Sequence, residues 1–505
     1  MWRKSCCGIA LLFVSAGSAI SAANADETPA ASSPATQPVA DQARVTRADL
    51  AAAYLRLEQA YFANPPEGEK VSTINRGFDQ ATMAFFMGRN AEAIRAIDEL
   101  TESIERDERV TAQRAISSLK VTPMPAVWRL DENDVRALRV QSIYDWQSDS
   151  LEDVACEVRV NRADGRCLVA IPLVVSLGPK SLADTRLTFP ETSATLEPGR
   201  YQIELGLAGK PGIIAGHVNV VSSSLDALRE TNAEQLAKIT ADSSAIEKAL
   251  ASCRARNQLL TDTPSVVNSA QFMADMHQLS KDVTAEIAVL AAGENPYSNR
   301  SGDSWRVFVS GKREVPLRVY APQAAQADKP LPLLVVLHGM GGDENMFFEA
   351  YGAGIIKQIA EKSDALVVSP LTYTFGSDIR TLQALVDDLA NDYQVDRDRV
   401  YVLGHSMGAG ATASLARGHA ETIAAACCIA GGSLSPASGT PPVLVVIPEL
   451  DGVVPPARVR TSAERAASAG MAVEVREMPG FGHTLAVGIA LPDAVDWLLK
   501  HKRTP

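Results

Sequence analysis

Histidine and cysteine are scarce in this 505-residue chain, with seven of each, and neither gathers into the close spacings that hold zinc. Metal-assisted hydrolysis is therefore not expected, and nothing calls for a cofactor. An excess of positive charge is missing too. The formal net charge is -12, which makes nucleic acid and anionic membrane surfaces poor partners. Beyond the first 25 residues no apolar run is long enough to cross a bilayer, so no membrane insertion is expected.

Residues 1–25 begin with Arg3-Lys4, continue through the apolar Leu11-Leu12-Phe13-Val14 and finish in Ala23-Asn24-Ala25. That pattern predicts a secretory signal peptide cut after Ala25, and hence an exported product, periplasmic or secreted. The apolar stretch is too short for a comfortable membrane anchor. Cys6 and Cys7 come too early for a lipoprotein signal and lack the apolar-small triplet before them. Removing Arg3 and Lys4 takes the net charge from -12 to -14 and leaves Cys156, Cys167, Cys253, Cys427 and Cys428. Cys156 and Cys167 flank a turn-like stretch, Asn161 to Gly165, and in an oxidising compartment a hairpin disulfide and two free thiols are equally consistent with that spacing. Cys427 and Cys428 lie in an apolar strand-like run and are expected to be inert core residues.

Composition and periodicity then divide the chain. Residues 26–42, rich in Ala, Pro, Ser and Thr, predict a disordered tether. Residues 43–120 predict helices: Leu50, Tyr54, Leu57 and Tyr61 recur at helical spacing behind a capping box, Thr46 to Asp49. Two helical patterns between Phe78 and Ile104 are joined at Gly88-Arg89-Asn90 and resemble a single tetratricopeptide-like hairpin. Residues 121–222 change to short alternating strands with a Glu197-Pro198-Gly199 turn, and predict a small immunoglobulin-like β-sandwich. That sandwich would serve either as a carbohydrate contact or as a spacer. Residues 223–294 return to helix, with Val266, Met276, Leu279, Val283, Ile287 and Leu290 marking a long apolar face. The face is expected to meet the Leu50 helix, so that both helical regions form one unit around the inserted sandwich. Residues 295–502 read as a separate α/β domain of about eight mostly parallel strands, closed by a helix with Pro492 in its first turn. A chain starting near Asn295 is then expected to fold alone.

The chemistry-bearing motif lies in this last region. Arg399 to Leu403 is an apolar strand pattern, Gly404-His405-Ser406-Met407-Gly408 follows, and small residues open a helix. A serine at the apex of such a strand–turn–helix is exposed, and the turn is so tight that only glycine fits on either side. Downstream, the strand Val443 to Ile447 leads to Asp451, and the strand Val473 to Met478 leads to His483 in a glycine-rich loop. Glu449 is a rival acid, two residues earlier, and His501 a rival base in the charged tail. The strand Leu333 to Leu337 ends in His338-Gly339-Met340-Gly341-Gly342.

These segments resemble the α/β-hydrolase superfamily, and within it the esterase and depolymerase group that includes polyhydroxybutyrate depolymerases and feruloyl or acetylxylan esterases. The resemblance covers the last two-fifths of the chain. It implies Ser406 as nucleophile, His483 as general base and Asp451 as its partner, because in this fold the acid follows the serine and the histidine comes last. It implies backbone oxyanion donors at Met340, with Gly339 next, and at Met407. His338 is expected to tie down its loop. Asp343, Glu344 and Asn345 fit a helix start better than a metal site. The resemblance implies a small-molecule or polymer-borne ester as substrate. A peptidase of prolyl-oligopeptidase-like type is the second reading, since the two groups share the scaffold, and a binding protein with a vestigial triad is the third. Only Gly431 to Pro442 separates two successive strands, too little for an inserted cap. An open site is therefore expected, with Phe347, Tyr373, Phe375 and Phe481 as candidate aromatic substrate contacts and Phe348 beside them.

Overall fold

The computed structural model describes residues 45–105, 111–144, 153–176, 185–190, 196–327 and 329–503. The signal peptide and tether expected over residues 1–42 lie outside the described residues.

The first helices are α1 (Arg47–Ala63), α2 (Glu69–Phe86) and α3 (Asn90–Glu105). Thr46 and Asp49 cap α1 reciprocally, each side chain accepting from the other's backbone N–H, which satisfies donors that a helix start leaves open. Leu57, Tyr61, Ile74, Phe78, Ile94 and Ile97 bury into one core, and Leu485 from the far end of the chain joins them. A short α4 (Thr111–Ser117) leads into the strands.

Eight strands follow: β1 (Leu119–Met124), β2 (Val127–Arg129), β3 (Ala137–Ser142), β4 (Asp153–Asn161), β5 (Cys167–Ser176), β6 (Thr185–Thr188), β7 (Gly199–Leu207) and β8 (Ile213–Val221). They make a three-stranded sheet, β1-β3-β6, and a five-stranded sheet, β2-β8-β7-β4-β5, with side chains of both in one core. The Tyr201 hydroxyl accepts from Glu197 N and donates to Glu197 O, fixing the turn into β7. The β4–β5 register decides the cysteine question. Cys167 lies opposite Asn161 and Cys156 opposite Leu173, so the two cysteines are offset by five residues, about 17 Å of strand. Both are free, and that offset is far beyond disulfide reach.

The second helical stretch is α5 (Leu225–Lys238), α6 (Ser244–Gln258), α7 (Ser269–Phe272) and α8 (Met276–Ala291). The expectation of one joint helical unit fails here. Met276, Leu279, Val283, Ile287 and Leu290 pack with Leu236, Ile246, Leu250 and Tyr297 in a core of their own, and Val266 is exposed. The face that was to meet the Leu50 helix is already covered by α5 and α6.

The remaining strands are β9 (Gly302–Ser310), β10 (Arg313–Ala321), β11 (Leu331–Leu337), β12 (Leu366–Pro370), β13 (Val395–His405), β14 (Ala425–Ile429), β15 (Val443–Pro448) and β16 (Val473–Met478). They form one sheet in the order β16-β15-β14-β13-β11-β12-β10-β9, parallel from β16 to β12 and antiparallel at β10 and β9. The inner strands β11, β12, β14 and β15 are buried at every residue, as a parallel sheet covered on both faces requires. Cys427 and Cys428 sit in β14, where burial pushes the Cys428 thiol up to about 12. The covering helices are α9 (Ile356–Lys362), α10 (Thr372–Phe375), α11 (Ile379–Leu389), α12 (Met407–Ala416), α13 (Pro456–Ser468) and α14 (Ala486–Leu499). Pro492 is inside α14 and not in its first turn. The helix starts earlier because Val487 and Leu491 bury in the core and Gly488 packs on Gly352, where an added Cβ would meet the Gly352 nitrogen at 2.4 Å.

Candidate active site

Ser406 separates β13 from α12 and holds φ 55° and ψ -113°, a left-handed conformation that a non-glycine residue adopts only when its surroundings impose it. The two glycines flanking it explain how. A Cβ at Gly404 would lie 2.1 Å from Gly408 O, and one at Gly408 would lie 1.9 Å from Leu337 O. Neither position accepts a side chain, so the chain can turn there at no other residue type.

The three residues expected to act together are brought together. His483 Nε2 is 2.9 Å from Ser406 Oγ, and His483 Nδ1 is 2.8 Å from Asp451 Oδ2. Asp451 Oδ1 accepts from Val453 N at 2.9 Å and Val454 N at 2.7 Å, which occupies the second oxygen and aims the first at the ring. Acceptance at Asp451 fixes the proton on Nδ1 and leaves Nε2 to take the serine proton. The rivals are elsewhere. Glu449 is exposed and accepts from Gly480 N, and His501 Nδ1 meets Trp497 O at 3.0 Å.

The loop after β11 offers an oxyanion donor by elimination. Gly339 N donates to Tyr351 Oη, Gly341 N to Tyr373 Oη, and Gly342 N to Gly339 O. The Met340 N–H is the remaining one of the four. Met407 is the first residue of α12, where a backbone N–H has no partner within the helix. His338 ties the loop down: Nε2 accepts from Thr372 N at 2.9 Å and Nδ1 donates to Gly339 O at 2.8 Å. Burial pushes its pKa down to about 4, so the ring stays neutral. Asp343 accepts from Arg47 and Ser269, Asn345 Nδ2 donates to that same Ser269 while its Oδ1 accepts from Arg318, and Glu344 accepts from Trp305, so these side chains are engaged in tying the loop down.

Sequence reasoning missed the residues that hold these loops. From α2, the Asp79 carboxylate accepts from His483 N at 2.9 Å and from Gly452 N at 2.8 Å, and Asn75 Oδ1 accepts from Gly482 N at 2.9 Å. One helix thus grips the backbone of both the acid loop and the base loop. Burial raises Asp79 to about 6, against the pull of the Gly452 and His483 amides. From α1, Glu58 accepts from Gly352 N and from Tyr54 Oη, and burial raises it to about 8. A second relay lies beneath the serine: Tyr351 Oη donates to His405 Nδ1 at 2.7 Å, and His405 Nε2 donates to His483 O at 3.1 Å. The one sequence signal was local. Asn75 and Asp79 are two polar residues one helical turn apart, beside Ile74 and Phe78 on the buried face of α2.

The site is a partly covered cleft. A cavity of about 370 Å³ reaches Ser406 and His483, and its walls come from α1, α2, α3, α7 and the loop after β11. No insertion within the sheet supplies this cover; the upstream helices do. The aromatic contacts expected from the strand-end loops are corrected accordingly. Phe347, Phe348 and Phe375 are fully buried in the sheet's own cores. Phe481 packs against the α1–α3 core. Tyr373 is 53% exposed, outside the cavity wall, and its hydroxyl serves Gly341.

Residues 334–502 match the sequence profile described as the alpha/beta hydrolase family. Among solved structures the chain is similar to an S-formylglutathione hydrolase from Staphylococcus aureus, at 16% identity and a TM-score of 0.34, covering 40% of this chain and 98% of that one. An S-formylglutathione hydrolase from Agrobacterium tumefaciens aligns at 16% identity and TM-score 0.34, over 39% of this chain and 94% of that one. A ferulic acid esterase from Anaeromyces mucronatus aligns at 18% identity and TM-score 0.31, over 38% and 88%.

Proposed function

Its C-terminal region being an alpha/beta hydrolase domain, we propose that this chain is a serine hydrolase that cleaves carboxylic esters through an acyl-enzyme. The observation that carries the reading is the hydrogen-bonded series Ser406–His483–Asp451, at 2.9 and 2.8 Å, set at a strained turn. Ser406 Oγ attacks the ester carbonyl carbon as its proton passes to His483 Nε2. The oxyanion that forms is met by the N–H groups of Met340 and Met407. Collapse breaks the bond to the alkoxy oxygen, which leaves as the alcohol with the proton from His483. Water then repeats the sequence on the acyl-enzyme, releasing the acid and restoring the serine. Asp451 holds the ring and stabilises the imidazolium at each stage. Export, expected from residues 1–25, belongs to the same proposal, and N-terminal sequencing of the mature protein tests it.

The deciding experiment compares p-nitrophenyl acetate with an aminoacyl-amide, using wild type and Ser406→Ala, together with covalent labelling by a fluorophosphonate. Ester turnover and labelling that both vanish in the variant support the reading. Faster cleavage of the amide would make the protein a peptidase instead, and absence of labelling would remove the nucleophile.

A further inference from the structure

The cavity beside Ser406 is walled by Leu50, Tyr54 and Leu55 of α1, Phe78 and Phe85 of α2, and Phe272 of α7. All six are apolar or aromatic, and all come from outside the α/β sheet. Its volume, about 370 Å³, lies in the range of pockets that enclose a small ligand. The charged side chains at its rim are paired, Glu349 with Arg318 at 3.0 Å. Arg47, the one arginine or lysine among the lining residues, pairs with Asp343 at 2.7 Å, and Ser269 Oγ donates to the same carboxylate oxygen at 2.5 Å. Burial pushes the Asp343 carboxyl up, but Ser269 and Arg47 outweigh it and the net shift is downward, which keeps the carboxylate charged and the pair intact. An anionic arm entering here would compete with Asp343 for Arg47 while losing its own water.

Resting on the ester-hydrolase reading, we propose that this cavity is the specificity site, binding the uncharged hydrocarbon arm of the ester, and that the upstream helices set its depth. The wall is continuous with the catalytic loops. Phe85 lies against Gly341, where an added Cβ would be 2.5 Å from its ring, and Tyr54 is hydrogen-bonded through Glu58 to Gly352. A hydrocarbon arm placed there gains about fourfold in binding per buried methylene, until the cavity is full. The arm can be the acyl or the alcohol part, since both radiate from the same carbonyl.

The test uses the full chain and two ester series. In one, p-nitrophenyl esters lengthen the acyl group from acetate to dodecanoate; in the other, acetates carry alcohols of increasing length. The expected result is a kcat/KM that rises about fourfold per methylene in one series and then stops; which series rises identifies the arm. Ala51, half-buried on the cavity wall, is replaced by Phe to shorten the cavity. The octanoate-to-acetate ratio of kcat/KM, or its counterpart among alcohols, should fall at least tenfold, chiefly through KM. A wild-type profile flat with chain length, or a ratio unmoved in A51F, overturns the proposal while acetate turnover leaves the esterase reading standing. If no ester is turned over, the esterase reading fails, and calorimetry with 2-decanone against acetone still decides the cavity. Tighter binding of 2-decanone, weakened in A51F, supports it; equal binding overturns it.

Discussion

Two groups of helices flank the strand region, and both show the same amphipathic pattern in sequence. Their polar residues give them different partners. The first group, α1 to α3, reaches the loops at the reacting end of the sheet: Asp79 and Asn75 hold the backbone of His483, Gly482 and Gly452, and Glu58 holds Gly352. In the second group, α5 to α8, α7 joins the cavity wall, while α6 lies along the edge strand β9, where Ser252 Oγ donates to Val307 O and Arg256 Nη1 to Trp305 O. Beneath it, Arg256 and Arg300 close a buried network on Glu286, 3.0 and 2.7 Å away. The first group positions the loops that carry the proposed triad. The second covers carbonyls that an exposed sheet edge would offer to another chain. An apolar stripe drives a helix into a core, but the few polar groups on it decide what that core is attached to.

Removing both groups is the harshest break of this comparison. A chain beginning at Asn295 was expected to fold alone, yet it would expose Leu485, Tyr297 and Trp305 and leave the catalytic loops without Asp79 and Asn75. The expected outcome is an insoluble product or complete loss of p-nitrophenyl acetate hydrolysis, read by soluble yield and initial rate.

The side chains that the first group steadies come next. Ser406→Ala and His483→Ala should each lower kcat by about 10⁴- to 10⁶-fold, and Asp451→Asn by about 10⁴-fold, with melting curves unchanged. Glu449→Gln should leave the rate near wild type. If it proves more damaging than Asp451→Asn, the acid is wrongly assigned.

A paired experiment then separates the two groups from each other. Asp79→Ala should lower kcat by about 100-fold, because small displacements of reacting groups cost that much, with only a modest change in Tm. Arg256→Met should leave kcat intact and lower Tm, because Glu286 keeps Arg300 but loses its second guanidinium and Trp305 O loses its donor. Equal effects of the two variants on rate would erase the distinction between positioning and bracing.

The pH response is smaller and has a definite sign. Burial raises Glu58 from 4.5 to about 8 and Asp79 from 3.8 to about 6. The folded state therefore binds protons that the unfolded state has released, and stability falls as pH rises. Asp79 contributes to that fall between about pH 4 and 6, and Glu58 between about pH 4.5 and 8. Thermal melts from pH 5 to 9 should show a decline in Tm that is flatter in Glu58→Gln; an equal slope would remove Glu58 as its source.

The smallest effect is expected from reductant. With Cys156 and Cys167 five residues out of register, dithiothreitol should leave Tm unchanged. Maleimide should label the exposed Cys167 ahead of the buried Cys156, Cys253, Cys427 and Cys428.

The C-terminal sheet was legible because its signals are local. Buried runs such as Leu333 to Leu337 and Val443 to Ile447 predict inner strands, and the Gly-x-Ser-x-Gly turn carries its steric requirement within five residues. Phe347 and Phe375 were misread because a strand-end loop in sequence does not say which way its side chains turn. Here Phe347 sits in a short π-helical turn, Met346–Ala350, that buries it against the sheet. Pro492 was misread because packing at Gly488 and Leu491 overrode the usual preference for proline in a helix's first turn.

By itself, then, the sequence determined where the inner strands run along the chain, the tight serine turn and the succession of Ser406, Asp451 and His483, because each depends on sterics or periodicity within a few neighbouring residues. Only the tertiary structure decided that α1 to α3 roof the cleft, that Asp79 grips His483 from 404 positions away, and that Cys156 and Cys167 stand apart. Those outcomes depend on which buried surfaces find each other across the chain, and a contact between distant residues leaves no period or spacing in either segment from which to read it.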